Sequence, residues 1–484
     1  MSPPPCETSP LLRMTARGSG GGSLLTTFWL VGASGMGFAA EGYDLFNIDL
    51  VLAILSKEYP DQIDAFGKSL GASSCIVGLV AGMLLFGRLA DAMGRRRCAL
   101  VLSSLQILGS VLSACCNAEL GISLASQLAL CRFLLGVGIG GEFPVAGAIS
   151  VEALRSQSFQ GHLIGSPFQL FVCNECCVCI GRLLAPTAVL ILLSMRLPLD
   201  VVWRLALALG SLPGIVGFVL RLLMQDGVDH EDAHATTHAE QIAGSVEESR
   251  EAPRPRQDPP IRAEVREAPH EWLVLTCGLT WMFFNCVSLG MGCFKSTLAE
   301  RIFGRLHEDL AIVRRDALYG LSLSTVPLVV SLLLVLIAVD RVSCRLLCLG
   351  GCASMAVWNL ASAALVGFRP SDAAALPVVL VQHLTFASFP PIFVAVFAVV
   401  PINVPAAVRA TFTGYASALG KVGGALGTLF FPLLAEACAM EIVMLCCGLV
   451  GLAAMVPAAM GFPWQDANPR QLDAEDKARC TVLS

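Results

Sequence analysis

The chain is short of charge. Only 14% of its 484 residues are Asp, Glu, Lys or Arg, while 55% are hydrophobic; a soluble chain of this length would carry about 25% charged residues over two or three domains. That deficit excludes a water-soluble fold. The net charge of -5 is spread over loops and tails. No basic stripe with interleaved aromatics occurs, which excludes nucleic acid as a partner. The first apolar stretch, Leu24 to Leu55, outruns the roughly 7–15 residues of a signal core and has no clear small-residue cleavage site after it, so it is expected to remain as the first membrane span. The spans hold no nucleophile–base pair or convincing metal set, so the expectation is a protein that is not an enzyme and uses no cofactor.

What is present is a succession of apolar runs long enough to cross a bilayer core, about 20 residues each. They fall near 26–50, 70–90, 98–117, 123–149, 161–193 and 202–223, then near 272–294, 317–339, 346–366, 375–400, 410–435 and 440–462. The expected fold is an all-α membrane protein of twelve helices in two six-helix halves, 25–224 and 272–462. Tails cover 1–24 and 463–484, and a polar linker covers 225–271, rich in Glu, Asp, Arg, Pro and His. His230, His234 and His238 in the linker repeat every four residues, a metal-ligand spacing on a helix, although a few histidines in a polar linker is the favoured reading. Cys173, Cys176 and Cys177 share a helical face beside Cys179. With no histidine nearby, packing between membrane helices is favoured over metal binding there too. Arg95, Arg96 and Arg97 follow span two and Arg341 and Arg345 follow span eight, whereas Glu58, Asp61 and Asp64 follow span one. By the positive-inside rule the termini and linker are expected in the cytoplasm; the loop from Lys295 to Asp316, with charges of both signs, is a weak exception.

After span two the chain reads Gly87-Arg88-Leu89-Ala90-Asp91-Ala92-Met93-Gly94-Arg95-Arg96-Arg97, and Asp340-Arg341-Val342-Ser343-Cys344-Arg345 after span eight is a weaker copy. A tight turn that brings an Asp and several Arg to the mouth of the bundle resembles the loop signature of the major facilitator superfamily. A copy in the second half is what an internal repeat predicts. The resemblance implies a gating role for Asp91, Gly94, Arg95, Arg96, Asp340 and Arg341. Further motifs are Gly42-Tyr43-Asp44-Leu45-Phe46, the run from Arg132 to Pro144, Trp203-Arg204, and Gly414 to Lys421. Spread over most of the chain, they resemble the proton-coupled inorganic phosphate symporters.

That resemblance implies substrate-binding roles for Lys421, Gln169, Trp281, Asn285 and Phe143. Several of the family's donors are replaced: Asn285 and Leu289 stand where it has Asp and Tyr, Phe143 where it has Tyr, and the span-ten Asn is replaced near Ile392. An anion is expected, with phosphate itself in doubt.

The charges inside the spans make the chemical case independently. A charged side chain at mid-membrane costs about 2.5–3.5 kcal/mol or more on insertion scales, so each asks for a reason. Lys421 lies deep in a stretch from Ala410 to Ala435 with no other charge. It is read as an ammonium that attracts an anionic solute, or as the partner of Glu142 or of a span-one acid; one lysine can do both in turn. Glu142 is the one charge between Arg132 and Glu152, and Glu41 and Asp44 share a face of span one. Carboxylates crowded in a poorly hydrated cavity resist simultaneous ionisation, the physical basis for carrying protons. Glu41, Asp44 and Glu142 are therefore the expected proton-coupling groups, an orienting hydrogen bond being the other reading of Asp44. Glu175 and Arg182, two turns apart in span five, are read as a structural pair. The glycines of spans four and eleven are spaced as close-packing faces.

The expectation is a secondary transporter in the lipid bilayer, moving phosphate or a similar small anion with protons by alternating access. Its rivals are a carrier of a sugar, carboxylate or organic phosphate on the same fold, and a non-transporting nutrient sensor. The plasma membrane is the default location; Glu7-Thr8-Ser9-Pro10-Leu11-Leu12 fits an acidic dileucine signal for endosomal or vacuolar membranes.

Overall fold

The computed structural model describes residues 22–93, 95–119, 121–153, 167–223, 268–304, 309–337, 342–367, 375–405 and 408–464. Among them there is helix and no strand, because a chain that buries its backbone in lipid must satisfy its hydrogen bonds within each segment. The spans are, in order, Gly22–Glu58, Ala65–Met93, Arg95–Ala114, Leu124–Ala153, Pro167–Ser194, a sixth made of Leu199–Leu209 and Ser211–Leu223, Ala268–Gly292, Asp309–Ile337, Cys344–Gly367, a tenth made of Ala375–Ala387 and Phe389–Asn403, Arg409–Ala437 and Met440–Gly461. Among the described residues, eleven helical stretches are long and apolar enough to cross a membrane. Span one carries Glu41, Asp44 and Asp49 within its helix. The protein is a multi-pass membrane protein. By alternation, the end of the bundle that meets the linker holds the start of every odd span and the end of every even one.

Two features differ from the expected spans. Span eight starts at Asp309, about two turns before the expected 317, since polar residues at a helix end need not sit in lipid. Span seven is helical from Ala268, inside the stretch expected as linker. Beyond it a short helix, Lys295–Phe303, occupies part of the loop of mixed charge. Residues 1–21 and 465–484 of the expected tails, His230, His234 and His238, and the dileucine motif lie outside the described residues, as do Gly94, Asp340 and Arg341.

Both broken spans have local causes. Span ten restarts after Ser388 because Pro390 and Pro391 lack the backbone donor that a continuous helix needs and fit its first turn. Span six breaks at Gly210, where a Cβ would sit 2.0 Å from an Asp44 carboxylate oxygen, so a larger residue there would displace that acid.

The halves repeat one packing device. Spans one and five touch through Gly42 on the Val178 carbonyl and Gly181 on the Ala39 carbonyl; their counterparts, spans seven and eleven, touch through Gly423 on the Met282 carbonyl and Gly427 on the Cys286 carbonyl. The halves meet chiefly where span eleven lies on span two and span eight on span five. At the linker end Gly87 approaches Ala410 and Gly414. At the opposite end Asp49 accepts from the Ser296 amide at 3.1 Å and from its hydroxyl, and Lys57 pairs with Asp309.

The backbone contacts generate a stability prediction. A Cβ at Gly423 would lie 1.9 Å from the Met282 carbonyl oxygen, whereas one at Gly350 meets nothing within 4 Å. Gly423→Val is expected to destabilise by at least about 1–3 kcal/mol, the usual range for overpacking, and Gly350→Ala to be neutral, both read as thermal unfolding of the purified protein; a neutral Gly423→Val would show that span eleven can move away without loss.

Candidate functional site

The core of the site is a buried ion pair between the halves. Lys421 of span eleven places Nζ 2.7 Å from Glu41 Oε1 of span one, with both side chains nearly sealed from solvent. Of the two partners left open by the sequence, the span-one acid is therefore the one in place. The ammonium also lies 4.8 Å from the centre of the Phe143 ring. Glu41 Oε2 has no hydrogen-bond partner among the described residues. Span eleven keeps its lysine at this depth because Gly420, beside it, admits Trp281, and Asn285 donates its side-chain amide to the Gly420 carbonyl at 3.1 Å. Trp281 is buried and its indole N–H has no hydrogen-bond partner among the described residues. Phe143, Trp281, Asn285 and Lys421 are thus brought into one neighbourhood. Gln169 lies half-buried near the start of span five.

Around this neighbourhood stands an aromatic wall. Phe143 packs against Phe38, Trp281, Phe393 and Phe397, with ring centroids 5.0–6.3 Å apart, and Phe397 also meets Phe171. Four of the six rings in this wall, Phe38, Phe171, Phe393 and Phe397, were not picked out from the sequence. Their isolated positions look like ordinary core, and only the crossing of spans one, four, five, seven and ten brings them together. Near the span-ten replacement, Ile392 lies against Gly351 of span nine, while Phe393 and Phe397 face the wall.

Glu142 takes a partner that the sequence reading did not name. Arg221, near the end of span six, forms a two-pronged pair with it at 2.6 and 2.7 Å and also donates to the Ala99 carbonyl at 3.1 Å and to the Ser103 hydroxyl. Glu142 is therefore bound within the first half rather than to Lys421. Arg221 could have been suspected as a lone charge in an apolar span, but at a span end it looked like an interface anchor.

Asp44, one turn beyond Glu41, accepts from the Ser110 hydroxyl at 3.3 Å, and its other oxygen is unpartnered. Arg132, fully buried at the head of the span-four motif, donates to the Asp44 carbonyl at 2.7 Å. Tyr43 and Asn47 both donate to the Ala206 carbonyl, tying span one to span six. Glu175 and Arg182 approach to 3.8 Å, too far for a hydrogen bond. Cys179, from the cysteine cluster, points its thiol to Glu175.

Of the residues expected to gate, Asp91 lies in the last turn of the span-two helix, and Arg95 and Arg96 open that of span three. Arg88, in the same motif, reaches across the halves to the Tyr415 hydroxyl with two donors at 2.7 and 3.0 Å, a contact not expected from the sequence.

With this geometry in view, known proteins can be compared. The family described as "Sugar (and other) transporter" matches residues 30–462. "Probable inorganic phosphate transporter 1-2" of Arabidopsis thaliana is 25% identical over 445 residues, 84% of each chain. "Probable inorganic phosphate transporter 1-8" of the same plant is 31% identical over 214 residues, a match spanning only 38% of that relative's length. Among solved structures, a proton:xylose symporter bound to 6-bromo-6-deoxy-D-glucose superposes with a TM-score of 0.69 at 15% identity, over 91% of this chain and 97% of that one. A second, described as a D-xylose-proton symporter, gives 0.65 at 16% identity over 90% and 98%. At such identities the likeness is one of fold.

The Glu142–Arg221 pair makes a test. Breaking a buried pair from one side costs about 3–5 kcal/mol because a charge is left alone, while replacing both partners is far cheaper. Arg221→Met should therefore lower thermal stability sharply, and Arg221→Met with Glu142→Gln should recover most of it; equal stability of the single and double variants would show that the pair is not a unit.

Proposed function

We propose, from the premise that the chain belongs to the sugar (and other) transporter family, that it moves a small anion across a membrane together with protons, inorganic phosphate being the first candidate. The observation that carries this reading is the ammonium of Lys421, held at mid-span by a carboxylate from the other half. An entering anion competes with Glu41 for that ammonium. Once displaced, Glu41 is a buried carboxylate with no counter-ion, and binding a proton relieves the cost. Anion and proton then occupy the site together and neutralise it, which is the condition for the halves to rock past one another. Asp44, beside Arg132, is the second candidate for a proton, while the tight bond of Glu142 to Arg221 makes it a pin within the first half more than a carrier.

Trp281 offers the anion an unpaired donor, and the amides of Asn285 and Gln169 are the other polar side chains assigned to it. The linker-end loops, with Asp91, Gly94, Arg95 and Arg96 in one half and Asp340 and Arg341 in the other, serve the closure that Arg88 and Tyr415 make. The relatives named as phosphate transporters support phosphate as the anion. The aromatic wall supports a second reading, an organic anion such as a carboxylate or organic phosphate, since Phe143, Leu289 and Asn285 offer few donors to a tetrahedral oxyanion and much surface to carbon. The plasma membrane is proposed as the location, with an endosomal or vacuolar membrane the alternative.

The test is uptake into reconstituted vesicles, with phosphate, small carboxylates, organic phosphates and a sugar each offered with and without an inward proton gradient. Saturable uptake of one anion, raised several-fold by the gradient, is expected. Lys421→Ala should reduce it to background while the protein still reaches the membrane, and Lys421→Arg should rescue poorly because its guanidinium is larger and planar. Uptake indifferent to pH would replace symport by uniport, and absence of any uptake would favour the sensor.

A further inference from the structure

Span five carries a carboxylate that the transport scheme leaves without a role. Glu175 is fully buried, and its Oε2 has no hydrogen-bond partner among the described residues. Its Oε1 accepts from the Cys179 thiol at 3.2 Å. The guanidinium that ought to neutralise it, Arg182, stands off at 3.8 Å and lies instead over the ring of Phe46 at 4.6 Å, with its Nε unpartnered. This is a loose ion pair in a place where a tight one would be expected, because a buried carboxylate without full compensation is costly.

Glu175 belongs to the same electrostatic neighbourhood as the central pair. Spans one and five are in backbone contact: Gly42, beside Glu41, packs on the Val178 carbonyl, about one turn beyond Glu175, and Gly181 packs on the Ala39 carbonyl. The groups facing it are Cys179 and Arg182 from its own span, Glu41 from span one and Lys421 from span eleven; span eight contributes the Ser331 hydroxyl, 3.7 Å from Cys179. Two buried carboxylates, each with an unpartnered oxygen among the described residues, thus stand on adjoining spans, and the lysine holds Glu41.

Resting on the symport reading above, we propose that Glu175 is a further proton-carrying residue of the transport site, neutral while Lys421 holds Glu41, and that Arg182 reports its charge to the contact between the halves. The carboxyl group gives up its proton as H⁺ and becomes a carboxylate, with no other bond made or broken. The new charge draws Arg182 across the remaining gap and off Phe46. Phe46 is the residue against which Gly292, at the end of span seven, is closely packed, and Lys295 Nζ lies 5.3 Å from the same ring. Releasing Arg182 from Phe46 therefore loosens a contact between the halves at the end opposite the linker. A proton on Glu175 restores it.

Two measurements on the full-length protein test this. The first is infrared spectroscopy of the purified, substrate-free protein titrated with pH: a protonated-carboxyl band should be present, should be lost in Glu175→Gln, and should shift its midpoint in Arg182→Lys. The second is vesicle flux of inorganic phosphate. Glu175→Gln should keep phosphate exchange within about twofold but lose at least tenfold of the accumulation driven by a pH gradient, and Glu175→Asp should restore part of it. An infrared titration in Glu175→Gln identical to that of the unmodified protein would overturn the proposal. That spectrum needs no substrate, so it decides on Glu175 even if uptake in the unmodified protein ignores pH and the symport reading itself falls.

Discussion

A single lysine held at mid-membrane by a carboxylate from the opposite half is the constraint around which the rest of this structure is arranged. Neither Lys421 nor Glu41 is tolerable alone in so dry a place, so each fixes where the other's helix must pass. The glycines of span eleven let it lie on span seven at backbone distance, and Asn285 then secures the turn that carries the lysine. Removing the demand for this pair would leave those glycines with no task but packing.

The buried charges of the protein fall into two kinds, distinguished by which half owns them. Glu142 and Arg221 belong to one half, are bonded by two short contacts and are further tied to span three, so rocking need not disturb them. Lys421 and Glu41 belong to different halves and share one contact, with a carboxylate oxygen left over. An interaction within a half stabilises one body; an interaction between halves has two states by construction and is broken or remade as the cavity changes access. The same difference is why the proposed scheme gives protons to the span-one acids and not to Glu142.

The surroundings of the lysine bear on what it accepts. Phe38, Phe143, Phe171, Phe393, Phe397 and Trp281 form the wall, and their rings offer polarizable carbon with one indole donor. In the proposed scheme charge attraction selects an anion, and the shape and carbon content of the wall select among anions. Contacts at both ends of the bundle close this region in the present conformation: Arg88 with Tyr415 at the linker end, and Asp49 with Ser296 at the other.

Much of this was legible in the sequence. The span pattern, the repeat of two halves, the loop motif and the isolated charges follow from the cost of placing polar groups in lipid, a rule that acts on each segment separately. It picked out Lys421, Glu41, Asp44 and Glu142 without any knowledge of their neighbours. Partnership is another matter, because it depends on how helices cross, and residues hundreds of positions apart become neighbours only through packing. Hence Lys421 had two possible acids and the structure chose Glu41, Glu142 was given to Arg221, the expected Glu175–Arg182 pair forms at 3.8 Å, and near Ile392 it is Phe393 and Phe397 that face the wall. The cost of burying a charge is local and can be read along one helix; the identity of the group that relieves it is a property of the tertiary fold.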